Sequence, residues 1–200
     1  DSLEGKICLV SGSGNVAQFA TEKATQLGGK VVTMSDSSGF IHDPSGIDAE
    51  KLAWVMDLKN NRRGRISEYA ENFEGVSFTP VDRSLGHNPL WLVDADVALP
   101  AATQNEINAT DADNLLGNGI FVVCEGSNMP STPEAIERFL KAGILYAPGK
   151  ASNAGGVATS GLEMSQNSIR LSWTRDEVDA RLDGIMCAIH EACASTAAEY

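Results

Sequence analysis

KICLVSGSGNVAQFATEKATQLGGKVVTMSD, residues 6–36, decides the fold. Lys6 to Ser11 (KICLVS) is a short apolar run closed by a turn signal, the pattern of a strand buried in a parallel sheet. From Asn15 to Leu27 the apolar residues Val16, Phe19, Ala20, Ala24 and Leu27 recur at helical spacing, and Gly28-Gly29 ends the helix. Lys30 to Ser35 (KVVTMS) reads as a second buried strand. Strand, helix and strand within about 30 residues make a βαβ unit.

Outward from this unit, Asp36-Ser37-Ser38-Gly39 reads as a turn, with Phe40-Ile41-His42 as a small hairpin arm. Asp48 caps a helix through Leu52, Val55, Met56 and Lys59, and a second short helix follows near Ser67 to Phe73. Alternation then resumes. Val76 to Thr79, Asp96 to Leu99, Phe121 to Cys124 and Ile144 to Ala147 are apolar enough for buried strands, with helices from Thr110 or Asp111 to Leu116 and from Ser131 or Thr132 to Ala142. Pro133 and Glu134 suit the first turn of the latter. The expected class is α/β: a Rossmann-like, doubly wound, mostly parallel sheet with helices on both faces. Residues 153–200 differ in texture: one helix opens at Asn153-Ala154-Gly155-Gly156, and another starts at the capping box Thr174/Glu177 and runs about 25 residues. Residues 1–200 are thus expected to form one dinucleotide-binding domain, with 153–200 as an interdomain helical region.

Composition narrows the function. Among 200 residues, 15 Lys plus Arg face 27 Asp plus Glu, a formal net charge of −12. So few cations argue against nucleic acid and anionic membranes as partners. The 42% hydrophobic and 21% charged fractions are those of a folded domain rather than a disordered chain. The four cysteines, Cys8, Cys124, Cys187 and Cys193, lack metal-ligand spacing and read as buried free thiols in a reducing, cytoplasmic setting. The chain also begins with Asp immediately before a strand, the look of a piece of a longer protein.

Gly12-Ser13-Gly14-Asn15-Val16-Ala17 matches G-x-G-x-x-A between the first strand and the first helix. Gly12 permits the tight turn, Gly14 lets the backbone approach a pyrophosphate, and Ala17 keeps the helix close to the sheet. Amides at the helix start, aided by its dipole, suit the phosphates. Asp36 ends the second strand where an acid accepts hydrogen bonds from the adenosine ribose, which taken alone leans to NAD over NADP. Hydroxyls at Ser35, Ser37 and Ser38 suit a 2′-phosphate, so the residues leave that choice open. Ala147-Pro148-Gly149-Lys150 fails as a P-loop because Ala151 replaces the required hydroxyl, and Gly-x-Ser-x-Gly is absent. His42, His87 and His190 have no metal spacing. Three loops rich in small polar residues, 100–105, 125–130 and 151–156, follow later strands and outline a cleft, where Asn offers both donor and acceptor.

SGSGNVAQ (11–18), SDSSG (35–39), LPAATQNE (99–106), EGSNMPSTPEA (125–135) and above all APGKASNAGGVATSGLEMSQNS (147–168) resemble the coenzyme-binding, C-terminal domain of hexameric glutamate dehydrogenases. The resemblance covers essentially the whole chain. It implies that Asn15 contacts the coenzyme phosphate in the glycine turn and that Thr103 and Asn128 lie along the pyrophosphate and nicotinamide ribose; Gly12, Ser13, Gly14, Val16 and Ala102 are expected in the same cofactor site. Asn153 is expected beside the nicotinamide and substrate, and Val157 and Ser160 on the wall of the glutamate side-chain pocket. SDSSG resembles the bacterial NADP-dependent branch, so the resemblance implies NADP, with NAD as the alternative, against the lean of Asp36.

The resemblance further implies reversible oxidative deamination of L-glutamate to 2-oxoglutarate and ammonia by a homohexamer. The lysines and aspartate that act on the substrate belong to an amino-terminal domain this chain lacks. No catalytic residue is therefore expected here, and the chain alone is expected to bind dinucleotide without turnover. Two alternatives stand beside this reading. One is a leucine, phenylalanine or valine dehydrogenase domain, disfavoured by a hydroxyl at Ser160 in an apolar pocket. The other is a non-catalytic dinucleotide sensor.

Overall fold

The first unit of the chain runs β1 (Ile7–Val10), α1 (Asn15–Gln26), β2 (Lys30–Val31), β3 (Thr33–Asp36), β4 (Gly39–His42), α2 (Ala49–Met56), α3 (Ser67–Asn72) and β5 (Ser77–Pro80). It continues through β6 (Val97–Leu99), α4 (Ala109–Gly117), β7 (Val122–Cys124), α5 (Pro133–Ala142) and β8 (Leu145–Ala147). The second contains α6 (Gly149–Ser152), α7 (Gly155–Ile169) and α8 (Arg175–Glu199). The computed structural model describes residues 2–199, and the two compact units meet in sequence at Ala147 and Pro148.

Five parallel strands lie in the order β2-β1-β6-β7-β8. From β1 the chain first winds outward to β2, then returns to pair β6 beside β1 and winds the other way. The reversal between β1 and β6 is the topological switch point, where ligands enter doubly wound sheets. Alternation along β1 sorts the core. Cys8 and Val10 face a cluster with Ala17, Leu52, Val55 and Tyr69, whereas Leu9 faces another with Ala112, Leu115, Ala135 and Phe139. Helices therefore cover both faces, as the sequence predicts.

The run KVVTMS is not one strand. Thr33 Oγ1 accepts from Val10 N at 3.0 Å and donates to Val10 O at 3.1 Å, taking the place of a backbone partner, and the chain leaves the parallel sheet there. Beyond it, β3 pairs with β4 and β4 with β5 in a separate antiparallel sheet. Val76 to Thr79 is thereby corrected: its strand is a half-exposed antiparallel edge, not a buried one. The face of α1 is also corrected. Ala17, Gln18, Thr21 and Ala24 are buried, while Phe19 is 59% exposed, because small side chains let the helix lie close on β1. Of the four thiols only Cys8 is buried, and burial pushes it up to about 11, with Asp96 adding to the shift. Cys187 and Cys193 are exposed on α8.

In the second unit, Thr174 N–H donates to Glu177 Oε2 at 2.7 Å and Glu177 N–H to Thr174 Oγ1 at 3.3 Å, the expected capping box at the start of α8. No residue of α7 or α8 is buried. Among the described residues no helix is long and apolar enough to cross a membrane, and no group of three or more His, Cys, Asp or Glu is placed to hold a metal ion.

Candidate dinucleotide groove

Gly12 has φ +82°, and a Cβ there would stand 2.9 Å from Ala101 O, so only glycine fits. The turn is fixed from behind. Gly12 N–H donates to Ser35 Oγ at 2.7 Å, and Ser35 N–H returns a bond to Gly12 O at 2.9 Å. Gln18 Nε2 donates to Ser13 O at 2.8 Å, and the Gln18 amide pairs with Asn60 through two bonds of 3.2 and 3.1 Å. Gly14 differs from Gly12: its backbone is extended, with φ −82°, and no atom lies within 4 Å of where a Cβ would be. It opens α1 without any side-chain cap or first-turn acid. Uncapped amides at the positive end of a 12-residue helix, beside open space, have the chemistry an anion requires.

Asp36, at the end of β3, is held differently. Oδ1 accepts from Ser38 N–H at 2.8 Å and Ser38 Oγ–H at 2.6 Å, and Oδ2 accepts from Lys59 Nζ and Ile66 N–H, both at 2.9 Å. Burial pushes the carboxyl up, but these bonds outweigh it and hold it at about 2. All its lone-pair directions are taken. Beside it the Arg65 guanidinium donates to Ser37 Oγ at 2.7 Å, with both groups exposed. Local spacing does not reveal Lys59 and Arg65, which reach Asp36 and Ser37 across 23 and 28 residues. The signal available was the basic run Lys59, Arg62, Arg63 and Arg65 in an acidic chain.

The third wall is the loop after β6. Ala101 N–H donates to Ser11 Oγ at 2.9 Å, and Ala102 and Thr103 N–H donate to Glu106 Oε1 at 3.0 and 3.3 Å. Gly126 and Ser127 N–H donate to Pro100 O at 2.9 and 3.1 Å, which ties the loop holding Asn128 to the same place. The glycine turn from Gly12 to Val16, the Ser35-Asp36-Ser37 corner and Ala102-Thr103 together line an open groove of about 620 Å³. Asn88 and Glu106, absent from the sequence expectations, line it too. It continues past Asp36 into a second hollow bounded by Phe40, Thr79, Pro80 and Val81.

A family model described as Glutamate/Leucine/Phenylalanine/Valine dehydrogenase matches residues 1–200. The chain belongs to this dehydrogenase family. A relative from Xylanibacter ruminicola, named an NAD(P)-specific glutamate dehydrogenase, is 62% identical over 96% of this chain and 42% of its own length. The NADP-specific glutamate dehydrogenase of Haemophilus influenzae is 56% identical over 96% and 41%. Among solved structures, a glutamate dehydrogenase of Plasmodium falciparum superposes with a TM-score of 0.90 at 44% identity, covering 98% of this chain and 40% of that one. The chain thus spans about two-fifths of the length of these family members.

Three expected contacts of this dehydrogenase-family chain lie in its second unit. Asn153 caps the C-terminus of α6, and Val157 and Ser160 stand three residues apart in the first turns of α7, where neighbours at that spacing share a face. Val157 is exposed, and Ser160 Oγ donates back to Gly156 O at 3.4 Å.

Proposed function

We propose that this chain is the coenzyme-binding part of a glutamate dehydrogenase and that its groove takes NADP(H) in preference to NAD(H). The relatives' names do not decide the coenzyme, since NADP-specific, NAD(P)-specific and NAD-specific glutamate dehydrogenases all occur among them. The state of Asp36 carries the choice. An acid at the end of this strand favours NAD only if its oxygens are free for the ribose hydroxyls. Here four protein donors occupy them, and the next residue along the chain, Ser37, holds the exposed Arg65 guanidinium on its hydroxyl. A guanidinium matches a phosphate in charge and geometry.

The residues fit a dinucleotide along the rest of the groove. Open space over Gly14 admits a pyrophosphate against the first amides of α1, and the walls at 101–103 and 125–130 flank the path toward the nicotinamide. A bound coenzyme supplies the hydride acceptor of an amino-acid oxidation. The resemblance assigns Thr103 and Asn128 of the first unit to orienting it; for the second unit, taken by itself, the same resemblance assigns Asn153 to the nicotinamide side, and Val157 and Ser160 to the side chain and distal carboxylate of glutamate. The hydroxyl of Ser160 suits a polar side chain better than that of leucine, valine or phenylalanine. The chain covers 42% of the Xylanibacter ruminicola relative, and the resemblance assigns the groups that move protons on the substrate to the remainder of the enzyme. A homohexamer acting on L-glutamate and 2-oxoglutarate in the cytoplasm rests on the resemblance.

Isothermal titration of the 200-residue chain with NADP, followed by an assay for glutamate-dependent NADPH formation, tests this reading. Binding without turnover is expected. Failure to bind either coenzyme, or turnover by the chain alone, overturns it.

A further inference from the structure

We propose that Glu106 is a positioning residue: with the Ser11 hydroxyl, it fixes the backbone from Ala101 to Thr103 against the glycine turn and so sets the shape of the groove. This rests on the reading of the groove as a dinucleotide site. An acid on the wall of a site for an anionic ligand is a liability unless it does something else there. Glu106 Oε1 accepts two successive amides, Ala102 at 3.0 Å and Thr103 at 3.3 Å. Its carboxylate also takes a hydrogen bond from Ser11, whose Oγ accepts the Ala101 amide at 2.9 Å. Three consecutive loop amides are therefore held by two side chains, one of them adjacent to Gly12.

The loop is also pressed on that glycine, where a Cβ at Gly12 would stand 2.9 Å from Ala101 O. A left-handed Asn105, φ +56°, turns the chain back so that Glu106 reaches the amides behind it. Asn105 N–H donates to Met129 O and Ile107 N–H to Pro130 O, both at 2.9 Å, which anchors Glu106 from its far side. One consequence is specific. Since the amides of Ala102 and Thr103 are already bonded, Thr103 meets a dinucleotide through its side chain and not through its N–H.

Protonation gives a readout that a packing role alone does not move. Burial pushes Glu106 above the usual carboxylate range, and repulsion from Asp111 on α4 acts in the same direction against the Ser11 and amide bonds. Across the adjoining hollow stand Asp36, Asp82, Arg83 and His87. A bound dinucleotide adds negative charge beside Glu106 and raises it further, so binding takes up a proton there and weakens as pH rises through its titration.

The test is calorimetric titration of the chain and of its Glu106→Ala and Glu106→Gln variants with NADP and with NAD, in buffers of different ionisation enthalpy. NAD separates Glu106 from the titrating 2′-phosphate. Expected are affinity about tenfold weaker in Glu106→Ala and recovery to within about threefold in Glu106→Gln, which keeps an acceptor for the amides. Proton uptake with NAD is expected in the unaltered chain and absent from both variants. If Glu106→Ala does not fold, by its thermal unfolding profile, proton uptake in Glu106→Gln decides alone. Unchanged affinity in a folded Glu106→Ala, or uptake persisting in Glu106→Gln, overturns the role of Glu106 and leaves the dinucleotide reading standing. An unaltered chain that binds neither coenzyme overturns both.

Discussion

The two ends of the groove solve one problem in opposite ways. At the glycine turn, Ser35 and Gln18 bond the backbone from behind, Ser11 ties the neighbouring loop at Ala101, and the start of α1 is left with no side chain capping its amides. At the Asp36 corner, the acceptor is consumed: four donors fill the carboxylate, and a guanidinium is what remains outward. In both places the surface left to a ligand is made of donors. On the proposed reading, a chain with a net charge of −12 makes room for an anion by satisfying its own acceptors internally and leaving helix dipoles and the Arg65 guanidinium exposed.

Substitutions at each end test that contrast. The largest effect is expected for Gly12→Ala, which forces a side chain into φ +82° and against Ala101 O. We expect a loss of about 2–3 kcal/mol in urea unfolding and at least about a hundredfold in NADP affinity. Arg65→Ala should weaken NADP by about thirtyfold and leave NAD unchanged, measured by paired titrations, since only the 2′-phosphate needs the cation. Gly14→Ala separates binding from folding: its backbone is ordinary and its space is empty, so unfolding should be unchanged while affinity falls about tenfold. Lys59→Met gives the smallest change in binding, a few-fold narrowing of the NADP to NAD ratio as Asp36 is released. Its effect on pH dependence is larger. Because Asp36 is depressed from 3.8 to about 2, it contributes about 2 kcal/mol above its ordinary range, lost as pH falls toward 2. Acid unfolding of Lys59→Met should lose part of that limb.

The βαβ start, the glycine turn and the later strands and helices were legible because they are local. Period, caps and G-x-G-x-x-A all fall within a few residues of one another. What was hidden depended on distant partners. Thr33 reads as mid-strand until its hydroxyl is seen to take the place of a backbone partner at Val10. Phe19 falls on a helical apolar stripe, yet close packing on β1 selects Ala17, Thr21 and Ala24. Asp36 reads as a free ribose acid because Lys59, beyond the end of α2, and the Ile66 amide, just before α3, arrive from 23 and 30 residues away. Ser35 reads as a phosphate hydroxyl, whereas its Oγ accepts the Gly12 amide. Thr174 and Glu177 were legible for the opposite reason, since a capping box is complete within four residues.

The central claim is that Asp36 is withdrawn from the ribose and Arg65 stands in for it. Dissociation constants of the unaltered chain for NADP and NAD, taken by calorimetry in one buffer, test it most directly. NADP should bind at least about tenfold tighter, the difference of one charge-assisted bond. Equal affinities, or a preference for NAD, would contradict it.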